Sequence, residues 1–312
     1  MSFFHDDGIW LRCQLHAHTT NSDGDATPEA LCDHYADAGF DVLAITDHWG
    51  VTTLEHDRLL LVPASELSAH AEGPSGEAEA LALGVAELPD PRGPFPDVES
   101  MAAWIAERGG VPILCHPYWS GMSAAVALAA PSLAGIEIWN GSGEVLQGNG
   151  LSTVHWDDVL QTGRLLPGIA TDDCHTPGVD SRVGWTWVFA AERSAASVLD
   201  ALRTGRSYGS AGPRLLDVEA DAEGVVVRSS PVRAIRLRTG AWDGCAANAV
   251  SGEGDWQGRP LERDGDGLLT AARLDRPETW DWGRVEVEDA RGRRAWGNPF
   301  LFEPTASVVA AA

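Results

Sequence analysis

The nine residues HAHTTNSDG, from His16 to Gly24, carry the strongest signal for the fold of this chain. Apolar and polar residues alternate before and into this stretch, with Leu11, Cys13, Leu15 and Ala17 in one parity and Arg12, Gln14, His16 and His18 in the other. The alternation predicts a β-strand over residues 12–18 with one apolar face. Because side chains two residues apart point to the same side of a strand, His16 and His18 could both reach one metal ion beyond its end.

Strand-like and helix-like segments alternate from position 10 to about position 191. Strands are predicted over residues 12–18, 41–46, 60–65, 81–85, 111–115, 135–139, 166–171 and 185–190. A first helix is predicted to begin at Pro28, after the N-cap Thr27, and to end before Gly39. A second is predicted to run from the N-cap Asp97 to residue 108. Three more are predicted over residues 122–130, 152–161 and 194–203. Alternating β and α units are typical of a parallel sheet, either closed into a barrel or doubly wound.

The pattern changes after Gly212-Pro213. The segments that follow resemble strands between Gly- and Asp-rich turns, over residues 215–227, 232–237, 268–274 and 284–288. We therefore predict a first domain over residues 1–212, a small all-β, sandwich-like domain over residues 213–304, and a frayed tail over residues 305–312.

Composition excludes several classes of partner. The chain has 312 residues and a formal net charge of −24, so we expect it to repel a nucleic-acid polymer, which is bound through lysine and arginine contacts to phosphates. The sequence contains no run of about 18 apolar residues, so we expect no membrane-spanning helix. The acidic N-terminus does not resemble a secretory signal. The five cysteines are odd in number and lack metal-site spacing, which favours reduced thiols in the cytoplasm.

Candidate metal ligands lie at or just beyond the C-terminal ends of the predicted strands. They are His16, His18, Asp23, His48, Glu66, His116, Asn140, Asp173 and His175. In a β/α barrel this is the edge at which active sites are built. Imidazole and carboxylate ligands suit zinc, manganese or iron. The set is larger than one ion can use and predicts a multinuclear centre with a bridging carboxylate. Cys115 and Cys174 take the opposite strand parity and are interpreted as packing residues.

In combination and in order, these motifs resemble the polymerase-and-histidinol-phosphatase (PHP) family. The resemblance is carried by LHAHTT at 15–20 with SDG at 22–24, TDH at 46–48, Glu66, CHP at 115–117 and DDCH at 172–175. It implies a distorted seven-stranded β/α (TIM-like) barrel with two or three divalent metal ions in a trinuclear site.

The resemblance also implies a distribution of the ligands among the ions. The first metal would be held by His16, His18, Glu66 and Asp173, the second by Glu66, His116 and Asn140, and the third by Asp23, His48 and His175. Asn140 stands where many members carry histidine, and Asp23 replaces another histidine. Both variants resemble the branch of small nucleotide and nucleoside phosphatases in this family.

Further motifs resemble the carbaryl-hydrolase-like group of the PHP family. They are RVGW at 182–185, LRTGRSY at 202–208, SAGP at 210–213 and AWGNP at 295–299. That group couples the barrel to a C-terminal β module, and some of its members hydrolyse a carbamate ester instead of a phosphate.

Three functions stay open at this point. The first is a metal-dependent hydrolase with a metal-bound hydroxide, most simply a phosphoesterase acting on a small phosphorylated metabolite or nucleotide. The second is a carbamate or carboxylic-ester hydrolase with the same metal centre. The third is a non-catalytic metal-binding scaffold.

For the hydrolases we assign roles to three side chains. Asp173 or His175 would move a proton to the leaving oxygen. Arg182 would clamp an anionic small-molecule substrate. An ion pair with Asp180 or Asp172 accounts for Arg182 equally well.

Overall fold

The computed structural model describes residues 7–90, 92–249 and 258–302. The chain divides into two compact units, one formed by Gly8–Gly209 and one by the chain from Ser210 onward. The tail predicted to be frayed, residues 305–312, lies outside the described residues. Within the described ranges, no helix combines the length and the apolar character needed to cross a membrane.

The first unit contains both strands and helices. Its strands are β1 (Ile9–Gln14), β2 (Val42–Ile45), β3 (Leu60–Pro63), β4 (Glu66–His70), β5 (Glu77–Leu83), β6 (Val111–Leu114), β7 (Gly135–Asn140), β8 (Gly168–Thr171), β9 (Trp185–Ala190) and β10 (Ser207–Ser210). Its helices are α1 (Pro28–Asp37), α2 (Val98–Glu107), α3 (Ala124–Leu128), α4 (Gly141–Gln147), α5 (Thr153–Leu160) and α6 (Ala195–Arg203). The mixed α/β character predicted for this part of the chain is confirmed.

The strands of this unit form two sets of hydrogen-bonded neighbours. In the set β10-β9-β1-β2-β3, strands β1, β2 and β3 are parallel and β9 is antiparallel to β1. In the set β4-β5-β6-β7-β8, strands β6, β7 and β8 are parallel and β5 is antiparallel to both of its neighbours. The predicted parallel arrangement is therefore right for most strands and wrong for β5 and β9. A closed seven-stranded barrel is not shown by this pairing and stays a prediction.

The hairpin of β4 and β5 departs most from the predicted elements. Glu66 begins β4 instead of ending the preceding strand, which stops at Pro63. Strand β5 begins at Glu77, four residues before the predicted start at 81. Its buried face opens with Ala78 and Ala80, whose small side chains give a weak hydrophobic signal after a stretch rich in Gly, Pro and Glu.

Helix α1 begins and ends where its capping residues predict. The Thr27 hydroxyl accepts a hydrogen bond from the Ala30 N–H, and Pro28 occupies the first helical position. Gly39 follows the last turn with a φ of 74°, a left-handed conformation that glycine adopts readily. Asp97 caps α2 through the same kind of side-chain acceptor.

The parity predicted around β1 is also observed. Leu11, Cys13 and Leu15 are buried in one core cluster with apolar side chains from β2, β6, β8, β9 and α6. Gln14 points to the other side, where its amide donates to the carbonyl oxygen of Gly184 over 3.0 Å. The same parity directs His16 away from this core.

The second unit is all-β in its described residues. Its strands are β11 (Leu215–Ala220), β12 (Gly224–Val232), β13 (Ala234–Arg238), β14 (Gly244–Asn248), β15 (Gly258–Arg263), β16 (Leu269–Asp275), β17 (Trp282–Glu288), β18 (Arg294–Gly297) and β19 (Phe300–Leu301). One antiparallel sheet has the order β11-β12-β16-β15, and β14, β13, β17 and β18 are neighbours in another. Strands of the two sheets contact one another, β13 against β16 and β12 against β17. The single strand predicted over residues 215–227 is a hairpin of β11 and β12.

Candidate metal centre

The backbone just beyond β1 positions the two histidines that open the motif. The Asp173 N–H donates to the His16 carbonyl oxygen over 3.0 Å, and the His18 N–H donates to the Cys174 carbonyl oxygen over 2.8 Å. On the other side, the Thr46 N–H donates to the Ala17 carbonyl oxygen over 2.8 Å. This extended segment is held between two neighbours, so the imidazoles of His16 and His18 face the same space, with ring centroids 5.2 Å apart.

Four predicted ligands meet at these imidazoles. His16 Nε2 lies 3.2 Å from Glu66 Oε2 and 3.1 Å from Asp173 Oδ1. His18 Nε2 lies 3.3 Å and 3.1 Å from the same two oxygens. All four side chains are buried, and their ligand atoms lie within 4.8 Å of one another. The structure therefore brings together the whole set that the family resemblance assigns to a first metal.

A second group forms around Asp23 at the more exposed end of the cluster. His48 Nε2 and His175 Nε2 each lie 3.5 Å from Asp23 Oδ2, and His18 Nδ1 lies 3.4 Å from Asp23 Oδ1. The rings of His18 and His175 stack with centroids 4.4 Å apart. This group contains Asp23, His48 and His175, the three residues that the resemblance assigns to a third metal.

Glu66 connects these histidines to His116. Its Oε2 faces His16 and His18, whereas its Oε1 lies 3.2 Å from His116 Nε2. The two oxygens of one carboxylate thus face different imidazoles, which is the geometry of a carboxylate that bridges two ions.

Within the cluster, the buried atoms His18 Nε2 and Asp173 Oδ1 make no hydrogen bond of good geometry to a described residue. They lie 3.1 Å apart as an ion pair and face the same space as Glu66. Poorly satisfied buried polar atoms are costly, and a cation between the two would satisfy both. The residues present therefore fit a divalent metal.

The charges of the cluster lead to the same conclusion. Burial opposes protonation of the imidazoles, but the carboxylates outweigh it, raising the pKa of His18 to about 10 and that of His116 to about 9. Burial also disfavours the charged forms of Glu66 and Asp173, yet the neighbouring histidines hold the pKa of both carboxyls below the usual range. Excess negative charge draws protons to these nitrogens, and metal ions compete for the same positions.

Glu79 on β5 belongs to the site, and sequence analysis missed it. Its carboxylate lies 3.7 Å from His48 Nδ1 through Oε1 and 3.7 Å from His116 Nε2 through Oε2. Burial and the charge of Glu66 raise the pKa of Glu79 to about 7. A signal was available, because Glu79 lies between the small buried residues Ala78 and Ala80, but the segment was assigned to a loop.

Glu137 on β7 was missed as well. Its buried carboxylate accepts hydrogen bonds from His16 Nδ1 over 3.0 Å, the His116 N–H over 2.8 Å, Asn140 Nδ2 over 2.9 Å and the Thr171 hydroxyl. A charged residue flanked by the isoleucines of the strand GIEIWN was the available signal. Glu137 thereby holds His16 with Nε2 toward the cluster.

Asn140 lies beside the cluster but is engaged in other contacts, and its role as a metal ligand stays a prediction. Its Oδ1 accepts the Gly143 N–H over 2.8 Å and caps α4. Its Nδ2 donates to Glu137 and, over 3.0 Å, to Asp173 Oδ2. Because α4 begins directly after β7 and its first N–H groups need an acceptor, the amide turns its oxygen away from the cluster. An amide N–H₂ group offers no lone pair to an ion.

The predicted role of Arg182 as a substrate clamp also stays a prediction. Its guanidinium donates to the His34 carbonyl oxygen over 2.6 Å, at the end of α1, and is not among the contacts of the cluster. Its bond to Asp172 is made by the backbone N–H over 2.6 Å and not by the guanidinium. The buried Asp172 carboxylate also accepts hydrogen bonds from the Val183 and Gly184 N–H groups. The backbone of residues 182–184 is therefore held against Asp172, while the Arg182 side chain contacts α1.

Cys115 also lies near the cluster. Its Sγ is within 4.8 Å of the ligand atoms of His16, Glu66 and His116. Burial raises the pKa of this thiol, and the Sγ lies 3.8 Å from the carbonyl oxygen of Ile113. A protonated thiol agrees with the predicted packing role.

No family model and no curated protein matches this sequence. Among solved structures, the chain is similar to a two-domain protein from Bacteroides vulgatus described as containing a predicted PHP-like metal-dependent phosphoesterase. The identity is 18%, the match covers 95% of each chain, and the TM-score is 0.51. At 18% identity, this similarity shows a shared fold and nothing about activity.

Two further solved structures match about half of this chain. An amidohydrolase from Chromobacterium violaceum with bound sulfate is 18% identical over 54% of this chain and 89% of its own, with a TM-score of 0.39. A protein from Bifidobacterium adolescentis described as a metal-dependent phosphoesterase is 17% identical over 53% and 88%, with a TM-score of 0.40.

Proposed function

We propose that this chain is a metal-dependent hydrolase, and more specifically a phosphoesterase acting on a small phosphorylated metabolite or nucleotide. The observation that carries the proposal is the buried group of His16, His18, Glu66 and Asp173, in which His18 Nε2 and Asp173 Oδ1 lie 3.1 Å apart without a hydrogen bond of good geometry. The proposal includes a cytoplasmic location, which the five buried, free cysteines support.

We also propose that the centre is trinuclear and holds zinc, manganese or iron. Four overlapping groups of ligand atoms, with the atoms of each group within 4.8 Å of one another, support a centre with more than one ion. In the same proposal the first unit is a PHP-type barrel and the chain divides near residues 212–213. The likeness to the two-domain protein over nearly the whole chain supports that architecture.

Bound divalent ions would lower the pKa of a coordinated water and neutralise charge on the oxygens of the substrate. The chain's own groups have three tasks. Glu66 holds imidazoles on both of its sides, and Glu137 fixes the orientation of His16. His175, whose side chain is 31% exposed, has Nε2 3.5 Å from Asp23 and Nδ1 3.0 Å from the Asp173 carbonyl oxygen. In the state in which its Nε2 holds no ion, it is placed to carry a proton between the cluster and solvent.

The ions also matter for substrate charge. The sequence contains no lysine, and the guanidinium of Arg182 is bonded to His34. An anionic substrate would therefore rely on bound cations more than on side chains for charge balance.

A second candidate is a carbamate or carboxylic-ester hydrolase with the same metal centre. Trp119 favours it, because its ring stands edge-on to His116 with centroids 5.0 Å apart and 44% of the residue is exposed. An aromatic surface beside a ligand suits an apolar leaving group.

The test combines elemental analysis with a hydrolysis panel on protein purified without chelator. The panel contains p-nitrophenyl phosphate, nucleoside monophosphates, and p-nitrophenyl and naphthyl esters. We compare wild type with His16→Ala and with His56→Ala, whose imidazole contacts Asp33 outside the cluster. Bound metal with phosphate release that His16→Ala abolishes and His56→Ala retains would support a phosphoesterase. Ester cleavage without phosphate release would favour the carbamate or carboxylic-ester hydrolase. Bound metal without hydrolysis of any substrate would favour the metal-binding scaffold. A wild-type chain without metal would overturn the proposal.

A further inference from the structure

We propose that Glu79 on β5, and not Asn140, completes the ligand set of the ion beside His116. This inference rests on the proposed function, since it assigns one more residue to the same metal centre. It gives the second metal position an oxygen ligand from a strand that carries none of the ligands predicted from sequence.

The first argument is the orientation of Asn140. Its Oδ1 accepts the Gly143 N–H over 2.8 Å, and its Nδ2 donates to carboxylates of Glu137 and Asp173 over 2.9 Å and 3.0 Å. Flipping the amide would set N–H against N–H at Gly143 and oxygen against oxygen at both carboxylates. All three neighbours therefore select the orientation in which the oxygen faces Gly143 and the N–H₂ group faces the carboxylates.

The second argument is the position of Glu79. Its Oε2 lies 3.7 Å from His116 Nε2, and its Oε1 lies 3.7 Å from His48 Nδ1. These separations are too long for hydrogen bonds and leave room for an ion among the groups. The Cys115 N–H donates to the Glu79 carbonyl oxygen over 2.9 Å, which holds the strand beside the residue that precedes His116.

The third argument is the availability of the neighbouring atoms. His116 Nδ1 lies 2.8 Å from the Ser120 hydroxyl, so this contact leaves Nε2 directed at Glu66 and Glu79. Glu66 Oε1 faces His116, whereas Oε2 lies 3.2 Å from His16 Nε2 and 3.3 Å from His18 Nε2. The set at this position is then one imidazole and two carboxylates, which is rich in oxygen and suits manganese better than a nitrogen-rich set would.

The test is the number of manganese ions bound per chain. Protein stripped with chelator is titrated with Mn²⁺ by calorimetry and checked by elemental analysis after gel filtration. We compare wild type, Glu79→Gln, Glu79→Ala and the matched control Asn140→Ser. Serine is a good N-cap, so this control keeps α4 capped and removes the amide. Removing the Glu79 charge relieves repulsion with Glu66, so the Glu79 variants should fold, which far-ultraviolet circular dichroism of the metal-free forms verifies.

We expect both Glu79 variants to bind one equivalent fewer than wild type and Asn140→Ser to bind the wild-type number. Wild-type stoichiometry in the Glu79 variants would overturn the inference while leaving the proposed function intact. A lost equivalent in Asn140→Ser would also overturn it, because Asn140 would then be a ligand. A wild-type chain that binds no Mn²⁺, Zn²⁺ or Fe²⁺ would instead overturn the proposed function.

Discussion

The carboxylate of Glu137 lies 3.0 Å from Nδ1 of His16, on the side of the imidazole opposite to the cluster. Because this contact uses Nδ1, the lone pair of Nε2 is left facing Glu66 and Asp173, 3.2 Å and 3.1 Å away. A carboxylate behind a histidine ligand fixes its tautomer and raises its basicity. Glu137 is therefore a positioning residue of the proposed centre.

Glu137→Gln should weaken metal binding by about 10- to 100-fold. Glutamine has nearly the same volume, but its N–H₂ group must face a donor, either at His16 or at the His116 N–H. Competition with a metal chelator of known affinity measures the change.

Glu107→Gln is the matched control for this prediction, because Glu107 is exposed at the end of α2. Equal metal affinity in wild type and in both variants would show that Glu137 only fills space.

Arg182→Ala should leave the KM for the substrate identified in the hydrolysis panel unchanged and lower the free energy of unfolding by about 1 kcal/mol or less. The reason is the bond of its guanidinium to the His34 carbonyl oxygen, which ties the turn after β8 to α1. Urea denaturation and steady-state kinetics give the two values. A KM raised tenfold with unchanged stability would restore the substrate clamp that the sequence predicts.

Much of the site could be predicted because it depends on local pattern. The alternation before His16 gives the strand and its parity, and the ends of β2 and β8 place His48 and His175 nearby. The C-terminal ends of parallel strands lie at the same edge of a sheet, regardless of the order in which the strands pair. The N-caps Thr27 and Asp97 are local in the same sense, since each acts within three residues.

The rest depends on contacts between distant segments. Glu79 enters the site because β5 runs antiparallel to β4 and β6, a pairing that no residue near Glu79 specifies. The rotation of the Asn140 amide is decided by Gly143 on one side and by Asp173, 33 residues away, on the other. Its place at a strand end and the family resemblance gave Asn140 the role of a ligand, whereas its neighbours in the structure make it a cap and a hydrogen-bond donor.

Both Asn140→Ala and Asn140→Ser lose the Nδ2 hydrogen bonds to Glu137 and Asp173. Asn140→Ala should lower the free energy of unfolding by about 1 kcal/mol more than Asn140→Ser. Alanine leaves the Gly143 N–H of α4 without an acceptor, and serine provides one. Urea denaturation measures the free energy of unfolding of each variant. The variants are metal-free, so differences in metal binding do not affect these values. Equal losses in the two variants would show that α4 does not depend on this cap.

The metal-free chain should lose stability as the pH rises from about 7 to 10. Burial opposes charge on His18 and His116, but Glu66 and Asp173 outweigh it and raise the pKa of the two imidazoles from 6.5 to about 10 and about 9. A group whose pKa is raised by folding stabilises the native state fully below its unfolded pKa, and this contribution is lost as the pH passes its folded pKa. The lowered pKa values of Glu66 and Asp173 act below about pH 4 and do not oppose this trend.

Differential scanning calorimetry of metal-free and metal-loaded protein between pH 6 and pH 10 checks this prediction. Since 1 kcal/mol corresponds to about 2–4 °C in a domain of this size, we expect Tm of the metal-free chain to fall by roughly 5 °C or more. The metal-loaded chain should change less, because ligated imidazoles carry no proton to lose at the coordinated nitrogen. His18→Gln should flatten the metal-free curve. A metal-free Tm that stays constant or rises over this range would contradict the carboxylate field on which the proposed centre depends.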